Sequence, residues 1–319
     1  MATNHLIKIG PLKQSELEEA DRIVRVAFGT FLGVPSPGEF MGDRNFLVPR
    51  WRSGHVKALA AREGGRLIGS NVVTRWGSFG LFGPLTVLPE YWDRGVAKRL
   101  LEATMTIFDK WNVRHTGLFT FAHSPKHVGL YQKFGYWPRY LTAIMTRTPE
   151  GKPTSQAANT DRLLSNLSRA ERVRAIEACR KLTHGVDKGL DLTGEIREVL
   201  AQRTGDVVLT TTRRGLDAFA ICLNGPGSEG GEKTCYIKFG AARGGSGVGE
   251  RFERLLDACD AFALSRQANL EAGINLAREN AYRRMRSHGF RVAMQGVAMQ
   301  RPHGEGFNRA GAYVMDDWR

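Results

Sequence analysis

The sequence predicts an α/β chain of the α+β type, built as two tandem copies of one domain. Each copy is expected to be a mixed, mostly antiparallel twisted sheet flanked by helices. Three observations lead there. The first half reads as strand, helix, three-strand meander, helix, strand, helix, strand. A glycine-bearing turn joins the meander to a long amphipathic helix. The same order then returns at a period of 152 to 154 residues, aligning Val96-Ala97 with Val248-Gly249, Gly135-Tyr136 with Gly289-Phe290, and Ala143-Ile144-Met145 with Val297-Ala298-Met299. Ordered self-similarity of this kind argues for duplication of one unit. With 319 residues, the chain is also long enough for two domains.

In chain order, Leu6 to Ile9 suits a short strand. Ser15 and Glu18 have capping-box spacing ahead of Leu17, Ala20, Val24, Ala27 and Phe28, which recur at helical intervals. Residues 56–62, 66–75 and 79–88 alternate or run apolar as strands, with turns at Gly64-Gly65 and Trp76-Gly77-Ser78. A helix is expected from Val96 to Trp111, with Val96, Leu100, Leu101, Ile107, Phe108 and Trp111 on one side. Leu118 to Phe121 suits a buried strand. Ser124-Pro125 is a cap followed by proline at the first helical position, Gly135 is a stop, and a strand covers 141–147. The polar, proline-containing stretch after Pro149 has no periodicity, so the expected boundaries are a domain over 1–150, a linker over 151–167 and a second domain over 168–319. Helices near 168–182 and 192–203, strands at 207–213, 217–224 and 234–242, a helix from Gly249 and a strand near 270–274 complete the second copy.

Composition narrows the function. Apolar residues make up 42% and charged residues 24%, which is ordinary for a folded chain. No apolar run reaches the roughly 18 residues of a membrane helix. The N-terminus lacks a basic region followed by an apolar stretch, so a cytoplasmic location is expected. Cys179, Cys222, Cys235 and Cys259 form no CxxC pair and have no histidine at ligand spacing, so they read as buried hydrophobes and no metal site is expected. The net charge of +14 is shared, with 20 Lys+Arg against 12 Asp+Glu in residues 1–150 and 26 against 20 in the rest. Such a field favours anionic ligands: a nucleotide-bearing molecule, an acidic small molecule, or nucleic acid.

The chemistry concentrates at Leu85-Thr86-Val87-Leu88-Pro89, followed by Trp92-Asp93-Arg94-Gly95-Val96-Ala97. A strand ends there and a helix begins, so backbone amides and the helix dipole point at whatever lies before it. Arg94, Lys98 and Arg99 surround this positive end, where acidic residues are usual, and that ring suggests a polyanion such as a phosphate chain. The stretch resembles the GNAT superfamily of acyl-CoA-dependent N-acetyltransferases, whose pattern is Gln/Arg-x-x-Gly-x-Gly/Ala after a strand ending Val-x-Pro. Trp92 stands where the family has Gln or Arg. Tyr131, four residues before Gly135-Tyr136, matches a second family motif, and the resemblance spans about residues 5 to 147.

The resemblance implies acetyl-CoA as co-substrate and a primary amine, on a small molecule or a peptide, as acceptor. It places the pyrophosphate on the amides from Asp93 through Arg94, Gly95, Val96 and Ala97 to Lys98, with Arg99 adjoining. The pantetheine arm would lie along Leu85, Thr86 and Val87 as a pseudo-strand, in the gap where the fourth and fifth strands splay. A backbone amide near Val87 would steady the oxyanion, and Tyr131 would protonate the departing thiolate. The fourth strand carries no carboxylate. The proton acceptor is therefore open, with His123 the nearest candidate and His127 four residues before Tyr131 on the same helical face. Glu39 and Asp43 lie in the loop that borders acceptors in this family. The second copy keeps Gly245-Ser246-Gly247 but has Glu250 at its helix start and Met285 in place of Tyr131, so a structural role is expected for it. Alternatives are activity in the second or both copies, or a non-catalytic acyl-CoA-responsive or RNA-binding module. Monomer and homodimer are both compatible with two linked domains. The loop Gly225 to Gly231 reads as a flexible hairpin connection, Arg283, Arg284 and Arg286 as a solvated face, and Trp318 as a docking aromatic.

Overall fold

The computed structural model describes residues 6–150 and 161–319. The first half runs β1 (Lys8–Pro11), α1 (Leu17–Leu32), α2 (Val48–Trp51), β2 (Val56–Glu63), β3 (Arg66–Trp76), β4 (Phe79–Val87), α3 (Val96–Trp111), β5 (His115–Thr120), α4 (Pro125–Gln132) and β6 (Trp137–Arg147). The second runs β7 (Asp161–Leu163), α5 (Arg169–Val186), α6 (Thr193–Ala201), β8 (Gly205–Thr212), β9 (Gly215–Gly225), β10 (Gly231–Ala242), α7 (Val248–Ser265), β11 (Asn269–Asn275), α8 (Glu279–Ser287), β12 (Arg291–Arg301) and β13 (Val314–Met315). Of the expected linker, residues 151–160 lie outside the described residues, while Asp161–Leu163 is an edge strand antiparallel to β8.

Apolar spacing explains the helices. Ala20, Ile23, Val24 and Ala27 are the buried stripe of α1, and Val96, Leu100, Leu101, Thr104 and Phe108 that of α3. β3 is buried on both faces, with Ile68 and Val73 in the core beneath α3 and Leu67 and Val72 in the core beneath α1. The expected Ser15–Glu18 capping box does not form. Gln14–Glu16 is a short 3₁₀ turn instead, and Glu16 takes the N–H of Lys13 (2.8 Å) while pairing with Arg62, which holds α1 against β2.

All strands join one continuous sheet in the order β1-β2-β3-β4-β5-β12-β6-β11-β10-β9-β8-β7, with β13 on the edge of β10. Only β4–β5 and β10–β11 are parallel. The closing strands are exchanged between the halves. β12 pairs with β5, β6 pairs with β11, and β12 and β6 pair with each other. The halves therefore share a core in which Trp76 and Phe79 meet Phe239, Phe307 and Trp318.

A buried ionic network crosses the same seam. Arg50 pairs with Glu229 at 2.6 Å, both 2% exposed, and Lys238 bridges Glu229 (2.7 Å) and Glu195 (3.2 Å). The Trp76 indole also donates to Glu195 (2.9 Å). Burial pushes the Glu195 carboxyl up, but Lys238 and His55 outweigh it and hold it well below the usual carboxylate range. The Gly225–Gly231 connection is therefore not a free hairpin. Ser228 and Glu229 are buried, and the Ser228 carbonyl accepts from Asn45 N–H (2.9 Å).

Candidate active site

The first half opens at the β4–β5 pair. Their parallel register ends at Leu81↔Gly117, and beyond it β4 has no partner on that side among the described residues. A bulge bends the strand there, where Gly83 and Pro84 of β4 oppose the single β3 residue Val72. Gly83 has φ 139°, which glycine tolerates, and Pro84 has no N–H to offer the ladder. The Arg50 guanidinium donates to the Gly83 carbonyl (2.8 Å) and fastens the bulge to the seam. At Gly83, Pro84 and Leu85 the open edge borders a cleft of about 230 Å³ between β4 and β5, and Thr86 and Val87 lie beyond that lining.

At the far end of β4 the chain turns into α3. Asp93 and Gly95 both have left-handed backbone, φ 62° and 77°, and Gly95 is the N-cap of α3. A Cβ on Gly95 would meet nothing within 4 Å, so the space before the helix is clear. Val96 is buried and anchors the turn, while Gly95, Lys98 and Arg99 are exposed around it. Exposed amides thus lead into the positive end of a 16-residue helix, a geometry suited to an anion.

Each member of the basic ring has a protein partner. Arg94 pairs with Glu63 (2.6 Å), Lys98 faces Glu102 (3.8 Å) and Arg99 donates to the Ile7 carbonyl (2.9 Å). These are exposed contacts worth little and readily exchanged, but they remove the need for an external polyanion. Trp92, the departure from the family pattern, donates its indole N–H to the Val87 carbonyl (2.8 Å). It therefore ties the loop to the end of β4.

Tyr131 lines the cleft from α4, its ring 5.8 Å from that of Phe82. Burial pushes its hydroxyl up to about 12, opposed by a hydrogen bond with Thr120. α4 starts where Ser124 accepts the His127 N–H (3.3 Å). His127 and Tyr131, one turn apart, both line the cleft. Burial lowers the His127 imidazole, assisted by Lys126 and His123, and its Nδ1 is buried without a hydrogen-bond partner. His123 is exposed, stacked on Phe31 at 6.0 Å, while His127 packs on the same ring at 4.7 Å. Of the acidic pair in the bordering loop, Glu39 is exposed and Asp43 accepts the Glu232 N–H (2.7 Å), docking the loop on the second half.

The second half shapes the same cleft, through residues that sequence reasoning did not single out for it. Met294 of β12, Trp318 and Arg319 line the same cleft. A Cβ on Gly117 would lie 2.7 Å from the Trp318 ring, and one on Gly273 would collide with the Asp317 side chain. Two glycines inside apolar strands were the available signal that another segment crosses them.

The corresponding groove of the second half is different. The β10–β11 register ends at Ile237↔Ala272, but beyond it β13 pairs with β10 through Gly240↔Met315 and Ala241↔Val314. The Ala242 N–H also donates to the Tyr313 carbonyl (3.0 Å). Arg251 folds back onto the loop carbonyls of Arg243, Gly244 and Gly245, and Met285 is buried where the first half has Tyr131. Arg283 and Arg284 pair with Glu279 and Glu253 on the surface of the second half. All four cysteines are buried and form no disulfide, and no cluster suited to a metal ion occurs among the described residues. No helix among those residues is long and apolar enough to cross a membrane.

Comparison with known proteins agrees with this geometry. Residues 28–136 match the model of the acetyltransferase (GNAT) family. A tandem GNAT protein from the clavulanic acid biosynthesis pathway is similar over 92% of this chain and 98% of its own, at 12% identity and a TM-score of 0.58. A protein of Pyrococcus horikoshii classed with acetyltransferases is similar over 98% of this chain and 95% of its own, at 13% identity and TM-score 0.67. A GCN5-related N-acetyltransferase of Sphaerobacter thermophilus follows with 92% and 95% coverage, 16% identity and TM-score 0.59. These likenesses show the fold. No curated protein matches the chain.

Proposed function

Residues 28–136 match the acetyltransferase (GNAT) family, and from that match we propose that the chain is a member of this family whose first half transfers an acetyl group from acetyl-CoA to a primary amine. One observation carries the choice of half. The edge of β4 beyond Leu81 is open, whereas the matching edge of β10 is covered by β13. A pantetheine arm has an unpaired strand to lie against in one groove only.

In this reading the amides from Asp93 to Lys98 receive the pyrophosphate, and Arg94, Lys98 and Arg99 release their surface partners toward it. Leu85, Thr86 and Val87 hold the arm, and a backbone amide near Val87 donates to the carbonyl oxygen as it gains charge. The amine nitrogen attacks the thioester carbon, forming the C–N bond as the C–S bond breaks. His127, unprotonated at neutral pH because burial lowers it, takes the amine proton. His123, on the exposed side of Phe31, passes the proton to water. Tyr131 stays un-ionised because burial raises it, and its hydroxyl donates to the leaving sulfur.

Calorimetric titration with acetyl-CoA should give one site per chain, lost when Gly95 and Ala97 are both replaced by bulky residues. Two sites, or a site that survives the double variant, would place the cofactor in the second half. Tyr131→Phe should retain that binding and lower kcat by about 10²- to 10⁴-fold. Activity should fall on the acid side as His127 becomes protonated below its ordinary 6.5, and His127→Gln should abolish that limb.

A further inference from the structure

The acceptor must enter the cleft opposite the open edge of β4, and the walls there are apolar. Phe28, Phe40 and Phe121 form a ring cluster, Phe28 lying 6.4 Å from Phe40 and 6.2 Å from Phe121. Met41 and Met294 add flexible apolar surface, the latter from the second half. No Asp or Glu side chain lines the cleft among the described residues. The guanidinium groups of Arg44 and Arg319 line it, beside the His127 imidazole, which burial holds toward its neutral form. Both guanidinium groups are already held by Glu271, at 2.8 and 2.9 Å, and Arg319 also by Asp317 at 2.9 Å. Burial raises the Glu271 carboxyl, but Arg319 and Arg44 outweigh it and hold it down to about 2. It therefore stays ionised and committed to the two arginines. Asp43 of the bordering loop is not in the cleft wall, and its carboxylate accepts the Glu232 backbone N–H (2.7 Å).

An ammonium group bound in such a chamber would lose its water and gain no counter-charge. An apolar body of aromatic size would instead meet rings and thioethers. We infer that the acceptor is a primary amine on an apolar, aromatic-sized body with no second cationic group, selected by a chamber that both halves of the chain build. This rests on the reading of the first half as the transferring domain. The amine reacts as the free base, its displaced proton leaves through His127, and the products are the amide and the thiol.

The test is thiol release from acetyl-CoA by the full chain, with 2-phenylethylamine and 1,4-diaminobutane as acceptors, alongside acetyl-CoA calorimetry. We expect kcat/KM for phenylethylamine to exceed that for the diamine at least tenfold. Met294→Glu, at a half-buried position, should narrow the ratio to within about threefold while acetyl-CoA binding is unchanged. Met294→Gln, which adds polarity without charge, should narrow it less. Preference for the diamine, or no turnover of phenylethylamine while acetyl-CoA still binds, overturns the acceptor class and leaves the transfer reading standing. Failure to bind acetyl-CoA overturns both. A ratio unmoved by Met294→Glu overturns the part assigned to the second half.

Discussion

Beyond Leu81 the edge of β4 lies bare beside a cleft, and beyond Ile237 the matching edge of β10 is stitched to Val314 and Met315. The two grooves share a strand order, a parallel pair that splays, and a glycine N-cap with φ near 75° before a long helix. They differ in what the chain does after its last long strand. After β12 it returns across the sheet, covers the second groove, and ends with Trp318 and Arg319 in the wall of the first. One duplicated fold thus has an open cleft in one copy and a closed seam in the other. The closed copy still contributes side chains to the open one.

The seam is where this comparison is broken most severely. Glu229→Gln should destabilise the chain by about 3–5 kcal/mol, because it leaves Arg50 and Lys238 buried with half their counter-charge. Urea unfolding reads this directly. A loss under 1 kcal/mol would mean that the halves are not locked through this network.

Gly273→Val sharpens the contrast at smaller cost, about 1–3 kcal/mol for overpacking against Asp317. Because Asp317 precedes Trp318, the variant should raise the KM for the amine while leaving the affinity for acetyl-CoA within about twofold. An equal loss of both would show that the closing segment supports the cofactor edge as well.

The last expected effect is absent at neutral pH and appears only in acid. Glu195, Glu229 and Glu271 all have folded-state pKa values below the ordinary 4.5. Their stabilisation is complete above that value and is lost as pH falls from it toward about 2, where the folded Glu271 carboxyl itself takes up its proton. Thermal melts should hold level down to about pH 5 and decline below it. A decline that begins at pH 7 would point to histidines instead.

Much of the molecule was legible in the sequence because it depends on short-range pattern. The helix from Val96 to Trp111 has the expected ends, since glycine before it and the apolar stripe within it are local signals. The Ser124 cap formed as expected for the same reason. The Ser15–Glu18 box was misread because Glu16 found Arg62, 46 residues away, and a long-range pair displaced the local one. The basic ring around Gly95 suggests a polyanion in the sequence, because its protein partners Glu63 and the Ile7 carbonyl are close in space alone. His123 and His127 could not be told apart by spacing. Burial separates them, and burial is set by how α4 lies on Phe31.

The sequence by itself determined the order of the elements, the duplication, the glycine turn that opens a long helix and the tyrosine one turn after a histidine. Each of these follows from periodicity, caps and residue chemistry within a few positions of one another. Only the tertiary structure decided that β6 and β12 trade places, that one groove is covered while the other is open, and that Met294, Trp318 and Arg319 stand in the wall of a site some 200 residues upstream of them. Strand partners and cavity walls are chosen by burial and shape over the whole chain, and a linear pattern does not carry that information.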